Sequence, residues 1–289
     1  MIVKKAGTIL LNLKTKQIGL VYRESENDFS FPKGHVENGE TLQQCAIRET
    51  EEETLRANHL LLNDEIYTLK YITPSGEDVE NHIYISIDDG PTTKNISLDD
   101  QENLKWMYHS DVENVLSYDN LKELWHTVKS PIERILENNG DVSAAILTDL
   151  AICPTCYDRR NDRCLYGDIT DRLLFENDLF ECFLVSNPRA DGHVVISTKK
   201  HYKDMMEIPD ELCSDIFIFA KKLMNILKSV YDSESVYLCT MCDGPMNHFH
   251  LQLIPRYNFE KRGSNNFVKP GKDYIEDKEK INKIRKLLN

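Results

Sequence analysis

The sequence lacks the features that mark membrane-bound, secreted and nucleic-acid-binding proteins. No apolar run approaches the roughly 18 residues that a membrane-spanning helix requires. The short apolar run in MIVKKAGTILLN has no small-residue cleavage site and is predicted to form a first strand. No basic run of the kind that grips nucleic acid is present, and the net charge of −13 argues against a polyanion-binding surface. We therefore expect neither a membrane nor a nucleic-acid polymer as a partner.

The remaining composition is that of a globular protein with room for two domains, since 289 residues suffice for two cores. The eight cysteines include two pairs with C-x-x-C spacing. Without a secretion signal, this spacing favours a cytoplasmic location and a metal site over disulfide bonds. Small phosphate-rich ligands are compatible with the negative charge, because a bound divalent cation offsets the local repulsion.

Both halves of the chain mix strand and helix patterns, which predicts an α+β protein of two domains. In the first half a helical pattern covers about 41–57, and the strand patterns cover 2–12, 17–23, 65–73 and 79–88. In the second half a helix is predicted at about 210–231, and the strand patterns cover 179–186, 193–198, 235–241 and 248–254. Turn formers at 138–140 mark the boundary. The predicted organisation is a first domain, a linker, and a second domain with a polar tail and a surface helix, at 1–137, 138–147 and 148–289.

Three glutamates share one face of the helix predicted in the first half. Glu49, Glu52 and Glu53 are spaced i, i+3 and i+4. Like charges so placed repel by about 0.2–0.5 kcal/mol per pair unless a cation holds them. Carboxylate oxygens suit magnesium, which also binds substrate phosphates. A solvated acidic face has the same spacing, so the spacing alone leaves both explanations open.

The surrounding sequence favours the metal site, because it resembles the Nudix box, G-x5-E-x7-R-E-U-x-E-E-x-G-U. Six fixed positions match in register: Gly34, Glu40, Arg48, Glu49, Glu52 and Glu53. The resemblance covers about residues 1–135 and implies a Nudix fold, a mixed sheet with flanking helices. It implies that Glu49, Glu52 and Glu53 bind magnesium or manganese and position a water that attacks a pyrophosphate bond. It also implies that Glu40 and Arg48 form an ion pair between loop and helix.

The chain departs from the Nudix box at the exit of this helix. Leu55 and Arg56 stand where the box has a glycine and an aliphatic residue, and Thr50 occupies an aliphatic position. Leu55 and Arg56 lie beyond the carboxylates, so they concern the local turn more than the chemistry.

Three other residues of the first half are candidate substrate contacts. The segment with Lys33 and His35 resembles the entry of Nudix diadenosine polyphosphate hydrolases, which implies contacts to phosphate oxygens. Glu102 lies where such enzymes carry a further acidic catalytic residue. A lysine in a solvated loop is the alternative for Lys33.

Two histidines alternate with a glutamine on a strand predicted in the second half. His248, His250 and Gln252 share one face, while the apolar residues between them are buried. An imidazole held between a hydrogen-bond acceptor and a phosphorus can act as a nucleophile. The alternation therefore predicts a catalytic strand.

This strand resembles that of the histidine triad (HIT) superfamily, with Gln252 in place of the third histidine. The order H-x-H-x-Q marks its transferase branch, which includes galactose-1-phosphate uridylyltransferase and the diadenosine tetraphosphate phosphorylases. Residues 187–196 and the Lys200-His201 step match the strand-turn-strand that precedes the motif. The resemblance covers about residues 148–257 and implies an antiparallel sheet with helices. Triad proteins are often dimers, so it also implies a homodimer.

The triad resemblance implies a role for each side chain of the motif. His250 would attack an α-phosphorus and carry the nucleotide covalently. Gln252 would donate a hydrogen bond to the phosphoryl oxygens, although it cannot transfer a proton. Asn187 would contact the ribose, and Asn247 would contact the substrate.

A zinc site is predicted beside the catalytic strand. Zinc-containing members of the superfamily use a C-x-x-C pair, the histidine of the Lys-His step and the first triad histidine. The resemblance thus implies four ligands, a set suited to tetrahedral zinc: Cys153, Cys156, His201 and His248. Buried free thiols are one alternative. An all-thiolate site with Cys239 and Cys242 is another, although residues three apart on a strand face opposite ways.

Both modules resemble enzymes that act on nucleotide phosphoanhydrides. We predict a bifunctional enzyme, a Nudix pyrophosphohydrolase joined to a HIT-like nucleotidyltransferase or phosphorylase. The predicted substrates are dinucleoside polyphosphates such as diadenosine tetraphosphate. Two alternatives stay open. The chain could be a nucleotide-sugar nucleotidyltransferase with a Nudix module, or one module could be a silent nucleotide sensor that regulates the other.

Overall fold

The chain forms two compact units, Met1–Ile152 and Cys153–Asn289. The structure is a computed structural model that describes residues 2–24, 26–242 and 244–288. In the first unit the described elements are, in chain order, β1 (Val3–Asn12), β2 (Gln17–Arg23), β3 (Asp28–Ser30), β4 (Lys33–His35), α1 (Leu42–Thr54), β5 (Arg56–Leu60), β6 (Tyr67–Ile72), β7 (Asp78–Pro91), β8 (Asn103–Tyr108), α2 (Val112–Val115), α3 (Asp119–Glu137) and α4 (Ala144–Asp149).

Strand β1 lies at the centre of a mixed sheet. It pairs in parallel with β7 and antiparallel with both β2 and β4. The outer strands β3 and β8 pair with β2, and β5 and β6 pair with β7. Residues 6–11 of β1 are all buried, as expected for a strand covered on both faces. The mixed sheet with flanking helices confirms the fold expected for the first half.

Helix α1 begins and ends with identifiable signals. Thr41 caps its start, and Gln44 completes a capping box by bonding back to the Thr41 backbone. Leu55 caps its end with φ at 55°, in the left-handed region, and its N–H donates to Glu51 O at 2.9 Å. This left-handed turn is the reason that a glycine suits the position. The chain keeps the turn although it has a leucine there.

The second unit is built around an antiparallel sheet. Its described elements are, in chain order, α5 (Pro154–Arg160), β9 (Leu173–Glu176), β10 (Phe180–Leu184), β11 (Val194–Thr198), α6 (Asp210–Val230), β12 (Ser235–Cys239), β13 (His250–Arg256), α7 (Asn265–Val268) and α8 (Lys278–Leu288). The strand order is β12-β13-β11-β10-β9. The antiparallel sheet with helices confirms the fold expected for the second half.

Several elements differ from the sequence-based expectation. Helix α8 is the helix predicted in the polar tail; it exposes its charged face and buries Ile281, Ile284 and Leu288 in the core of the second unit. The short elements α4, α5 and β9 carry too few residues to show a clear periodicity, and the sequence patterns do not indicate them. Residues 138–147, predicted as a linker, belong to the first unit and include the start of α4. The domain boundaries stay predictions.

None of the helices in the described ranges combines the length and the apolar character that a bilayer crossing needs.

Candidate active sites

Arg48 organises the acidic face of α1. Its Nη1 donates to Glu49 Oε1 and to Glu52 Oε2, each at 2.8 Å. Its Nε and Nη2 bind both carboxylate oxygens of Glu40 at 2.8 and 2.9 Å. The Arg48 guanidinium lowers the pKa of Glu40, and the expected ion pair between loop and helix is present. The same guanidinium offsets the repulsion between Glu49 and Glu52.

The Glu53 carboxylate contacts the backbone of β4, the strand that precedes α1. Its Oε2 accepts a hydrogen bond of 2.9 Å from the backbone N–H of Lys33. Burial raises the pKa of the Glu53 carboxyl to about 7, against the opposing effect of the nearby Lys33 ammonium. Glu102 lies beside it, because the Glu102 N–H donates to Glu53 O at 2.9 Å. Burial also raises the pKa of Glu102.

The structure thus gathers Glu49 and Glu52 around Arg48 and places Glu53 with Lys33 and Glu102. Over the described part of the chain, the three helix glutamates do not converge as closely as the cysteine and histidine ligands described below. Their carboxylate oxygens are nevertheless the donor type that magnesium prefers.

Gly34 allows the Glu49 carboxylate to lie against the loop backbone. A Cβ at Gly34 would lie 1.9 Å from Glu49 Oε2, so any side chain there would displace the carboxylate. This close approach explains in physical terms why the motif begins with a glycine.

The two candidate phosphate contacts lie on β4, next to β1. His35 is exposed and Lys33 is partly buried. Burial lowers the pKa of the Lys33 ammonium, and Glu53 opposes that effect. Burial and the neighbouring Lys5 lower the pKa of His35, which favours its neutral form. Lys33 also lines a cavity of about 540 Å³, within the size range of small-ligand sites.

In the second unit, His250 is held in one orientation at the start of β13. Its Nδ1 lies 2.9 Å from the backbone oxygen of His248, so Nδ1 carries the proton and donates. Nε2 therefore keeps its lone pair, and it lies 3.3 Å from Gln252 Nε2. This is the arrangement that a nucleophilic imidazole needs.

Gln252 is oriented by two residues that the sequence patterns do not single out, Arg189 and His193. Arg189 Nη1 donates to Gln252 Oε1 at 2.7 Å, and His193 Nε2 lies 3.2 Å from the same oxygen. Because Arg189 can only donate, the Gln252 oxygen faces it and the Gln252 NH2 group faces His250. Burial lowers the pKa of His193 to about 4, so this imidazole is neutral near pH 7.

The register of the sheet places His193 near Gln252. Val195 on β11 is paired with Gln252 on β13, and His193 lies two residues earlier on the same face. The proximity of His193 to Gln252 follows from the pairing of β11 with β13, since the two residues are far apart in sequence.

Two cysteines and two histidines converge next to His250. The ligand atoms lie within 4.8 Å of one another in a cluster made of Cys153, Cys156, His201 and His248. His248 Nδ1 lies 3.5 and 3.4 Å from the sulfurs of Cys153 and Cys156, and His201 Nδ1 lies 3.5 Å from that of Cys156. Ligand atoms 2.0–2.3 Å from a tetrahedral ion are roughly 3.6 Å apart. The four side chains therefore fit a zinc ion.

The hydrogen bonds of this cluster also suit a metal. His248 Nε2 donates to Thr198 O at 2.8 Å, which leaves the Nδ1 lone pair toward the sulfurs. Cys153 caps the start of α5, where its sulfur accepts from the Cys156 N–H at 3.4 Å. A hydrogen bond from the Cys156 thiol, with help from His248, lowers the pKa of Cys153. Cys239 and Cys242 are not part of the cluster.

The two asparagines predicted as substrate contacts have different surroundings. Asn187 is exposed, and its side chain lies against Gly271, where a Cβ would be 2.3 Å from Asn187 Oδ1. Asn247 Nδ2 donates to the backbone oxygen of Lys203, so it fixes the chain before β13.

The chain resembles known proteins in both units. The family model described as NUDIX domain matches residues 1–130, and the model described as HIT domain matches residues 166–259. An uncharacterized HIT-like protein of Methanocaldococcus jannaschii is 31% identical over 94 residues, which cover 32% of this chain and 73% of the relative. Adenosine 5′-monophosphoramidase of Schizosaccharomyces pombe is 30% identical over 94 residues, 32% of this chain and 71% of that protein. Among solved structures, Ap4A hydrolase of Caenorhabditis elegans is 25% identical with a TM-score of 0.36, and the match covers 44% of this chain and 95% of the hydrolase chain.

The fold and the two family models together support an enzyme of nucleotide chemistry. The chain belongs to the HIT family through its second unit and carries a Nudix domain in its first. Both families consist of nucleotide hydrolases or transferases, and Nudix domains generally use Mg²⁺.

Proposed function

We propose that the protein cleaves phosphoanhydride bonds of dinucleoside polyphosphates, such as diadenosine tetraphosphate, at two separate centres. The first unit would act by metal-dependent hydrolysis, and the second by nucleotidyl transfer or phosphorolysis through His250. The observation that carries the proposal is the orientation of His250, whose Nδ1 donates to the His248 backbone oxygen, so that the lone pair stays on Nε2, beside the Gln252 NH2 group.

In the second unit, the Nε2 lone pair of His250 would form a bond to the α-phosphorus. The bond from this phosphorus to its bridging oxygen breaks, and the nucleoside polyphosphate leaves with the electron pair. Gln252 has no proton to transfer, and this leaving group needs none because its phosphate is already acidic. An oxygen of inorganic phosphate or water then attacks the phosphorus, and the electron pair of the N–P bond returns to His250. Asn187 and Asn247 would contact the nucleotide.

In the first unit, Glu49, Glu52 and Glu53 would hold Mg²⁺ or Mn²⁺, which would offset phosphate charge and activate a water. Arg48 binds one oxygen of Glu49 and one of Glu52, which leaves the second oxygen of each carboxylate for a cation. Lys33 and His35 would contact phosphate oxygens, and Glu102 would assist as a further carboxylate beside Glu53.

The cysteine–histidine cluster would hold zinc, with Cys153, Cys156, His201 and His248 as ligands. Bound there, the ion would fix His248, whose backbone oxygen orients His250. A cytoplasmic location is part of the proposal, since the eight cysteines are free and thiols are kept reduced in the cytosol. We also propose a homodimer, which light scattering of the purified protein would test.

A second candidate for the His250 centre is hydrolysis of a nucleoside phosphoramidate. The relative from Schizosaccharomyces pombe is named for that activity and is 30% identical over 94 residues. An amine leaving group needs a proton, which Gln252 cannot supply. For this reason we favour the phosphoanhydride.

The test is a cleavage screen of the full chain with magnesium, with and without inorganic phosphate. The substrates are dinucleoside polyphosphates, nucleotide sugars and adenosine 5′-monophosphoramidate. We expect Glu52→Gln to abolish one activity on dinucleoside polyphosphates and His250→Ala to abolish the other. Matched controls are Glu123→Gln and His126→Ala, both at exposed positions on α3, which should retain both activities.

Each result of this screen has a clear meaning. Nucleotide-sugar cleavage that depends on His250 would support the transferase alternative instead. If only one of the two substitutions removes an activity, the sensor alternative is favoured for the unit whose substitution has no effect. If neither has any effect on nucleotide cleavage, the proposal is wrong.

A further inference from the structure

Asn81 is a buried amide without partners in the first unit. It lies on β7 and is 1% exposed. Among the described residues, neither its Oδ1 nor its Nδ2 has a hydrogen-bond partner. Most buried polar side-chain atoms in folded proteins are paired, so one amide with both groups unpaired requires an explanation. A ligand that forms hydrogen bonds with both Oδ1 and Nδ2 would provide that explanation.

The cavity of about 540 Å³ lies against Asn81. Lys5 on β1 and Leu69 on β6 are the register partners of Asn81, and both line the cavity with it. Tyr71 and Tyr118 line it as well. Asn81 is therefore part of a sheet surface that forms one wall of the cavity, with aromatic side chains close by.

The same cavity reaches β4, because Lys33 lines it too. Lys33 is paired with Gly7, and Asn81 with Lys5, so the two lie two strands apart across the sheet and two residues apart along it. Strand spacing puts their backbones roughly 12 Å apart. An extended nucleotide spans a similar distance from its base to its outer phosphates.

The side chains that line the cavity match the phosphates and the base of a nucleotide. Lysine suits the phosphates, tyrosine rings suit the face of a base, and an amide suits the edge of a base. Asparagine pairs bidentately with adenine, donating to N7 and accepting from the N6 amino group. Both groups that this pairing uses are the unpaired groups of Asn81.

We propose that Asn81 selects adenine at the Nudix centre by pairing with the edge of the base. This inference rests on the proposed function, since it identifies the base that the first unit holds while its phosphates are cleaved. Asn81 is then a specificity-determining residue, and its substitution should change KM and base preference more than kcat.

The test compares Asn81→Leu with the parent in a His250→Ala background, so that only the first unit cleaves substrate. Magnesium-dependent kcat/KM is measured for diadenosine and diguanosine tetraphosphate. We expect the parent to prefer the adenine substrate by roughly tenfold or more, which is the discrimination of one bidentate pair. Asn81→Leu should lose this preference, mainly through a higher KM for the adenine substrate. Asn103→Leu, at an exposed position of β8, is the matched control and should keep the preference.

A binding measurement separates this inference from the proposed function. Calorimetry with ATP on the same proteins should show one adenine site fewer in Asn81→Leu, whether or not any dinucleotide is cleaved. Loss of that site in a protein without cleavage would leave the inference standing and overturn the proposed function. Equal base preference in parent and variant, or an unchanged number of ATP sites, would overturn the inference. A more stable Asn81→Leu with unchanged base preference would show that the amide is an unpaired buried group that serves no ligand, and would overturn it too.

Discussion

Loss of the cysteine–histidine cluster should destabilise the second unit. Cys156→Ser removes a sulfur that lies 3.4 Å from His248 Nδ1 and 3.5 Å from His201 Nδ1. A serine hydroxyl is a poor replacement for a zinc-binding thiolate. We therefore expect zinc to fall from about one ion per chain to a small fraction of that value.

The size of the effect follows from linkage between binding and folding. An ion present at about 1,000 times its dissociation constant stabilises the folded state by about 4 kcal/mol. In a unit of the size of residues 153–289, 1 kcal/mol corresponds to roughly 3 °C in Tm. Loss of zinc should thus lower the Tm of the second unit by about 12 °C.

Scanning calorimetry with and without a chelator, together with metal analysis, measures both quantities. Chelation of the wild type should reproduce the Tm of Cys156→Ser. Cys242→Ser is the matched control, since Cys242 is also partly buried but lies outside the cluster. Wild-type protein that contains no metal after growth with zinc, or whose Tm is unchanged by both chelation and Cys156→Ser, would refute the zinc site.

Three further predictions concern positions whose surroundings the structure defines. Gly34→Ala would put a Cβ 1.9 Å from Glu49 Oε2, so a rate assay should show the magnesium-dependent activity falling by roughly 100-fold. Arg159→Met removes one of the two arginines on the buried Glu181, and urea unfolding should show a loss of about 2–4 kcal/mol. Burial lowers the pKa of His193 from 6.5 to about 4. As the pH falls below 6.5, the His193 imidazole binds a proton in the unfolded chain but stays neutral in the folded one. The contribution of His193 to the free energy of unfolding is therefore complete above pH 6.5. Urea titrations should show the free energy of unfolding decreasing by up to about 3 kcal/mol between pH 6.5 and pH 4.

Each of these predictions has a matched control. Gly244→Ala should be silent, because the described residues leave a Cβ there without a contact within 4 Å. Arg262→Met removes an exposed arginine and should leave the free energy of unfolding unchanged within about 0.5 kcal/mol. His126→Asn should keep the pH dependence of the wild type, whereas His193→Asn should flatten it. Equal behaviour of test and control variants would contradict the corresponding argument.

Local patterns were enough to predict that the three glutamates share one face of a helix and that the two histidines and the glutamine share one face of a strand. The glutamates of α1 and the alternation on β13 depend on helical and strand periodicity, which few neighbouring residues determine. The capping signals around α1 are local for the same reason. Resemblance to two families then predicted the ligands and roles that periodicity does not contain.

The relations between distant segments were decided by tertiary structure. Glu53 is held by the backbone N–H of Lys33, and Gln252 takes its orientation from Arg189 and His193. In the sequence Asn81 is an ordinary polar residue of a predicted strand, and only the assembled sheet shows that its amide is buried and unpaired among the described residues. Periodicity specifies which face a side chain occupies. Its partners depend on which strands and loops pack together, and those contacts span many residues of sequence.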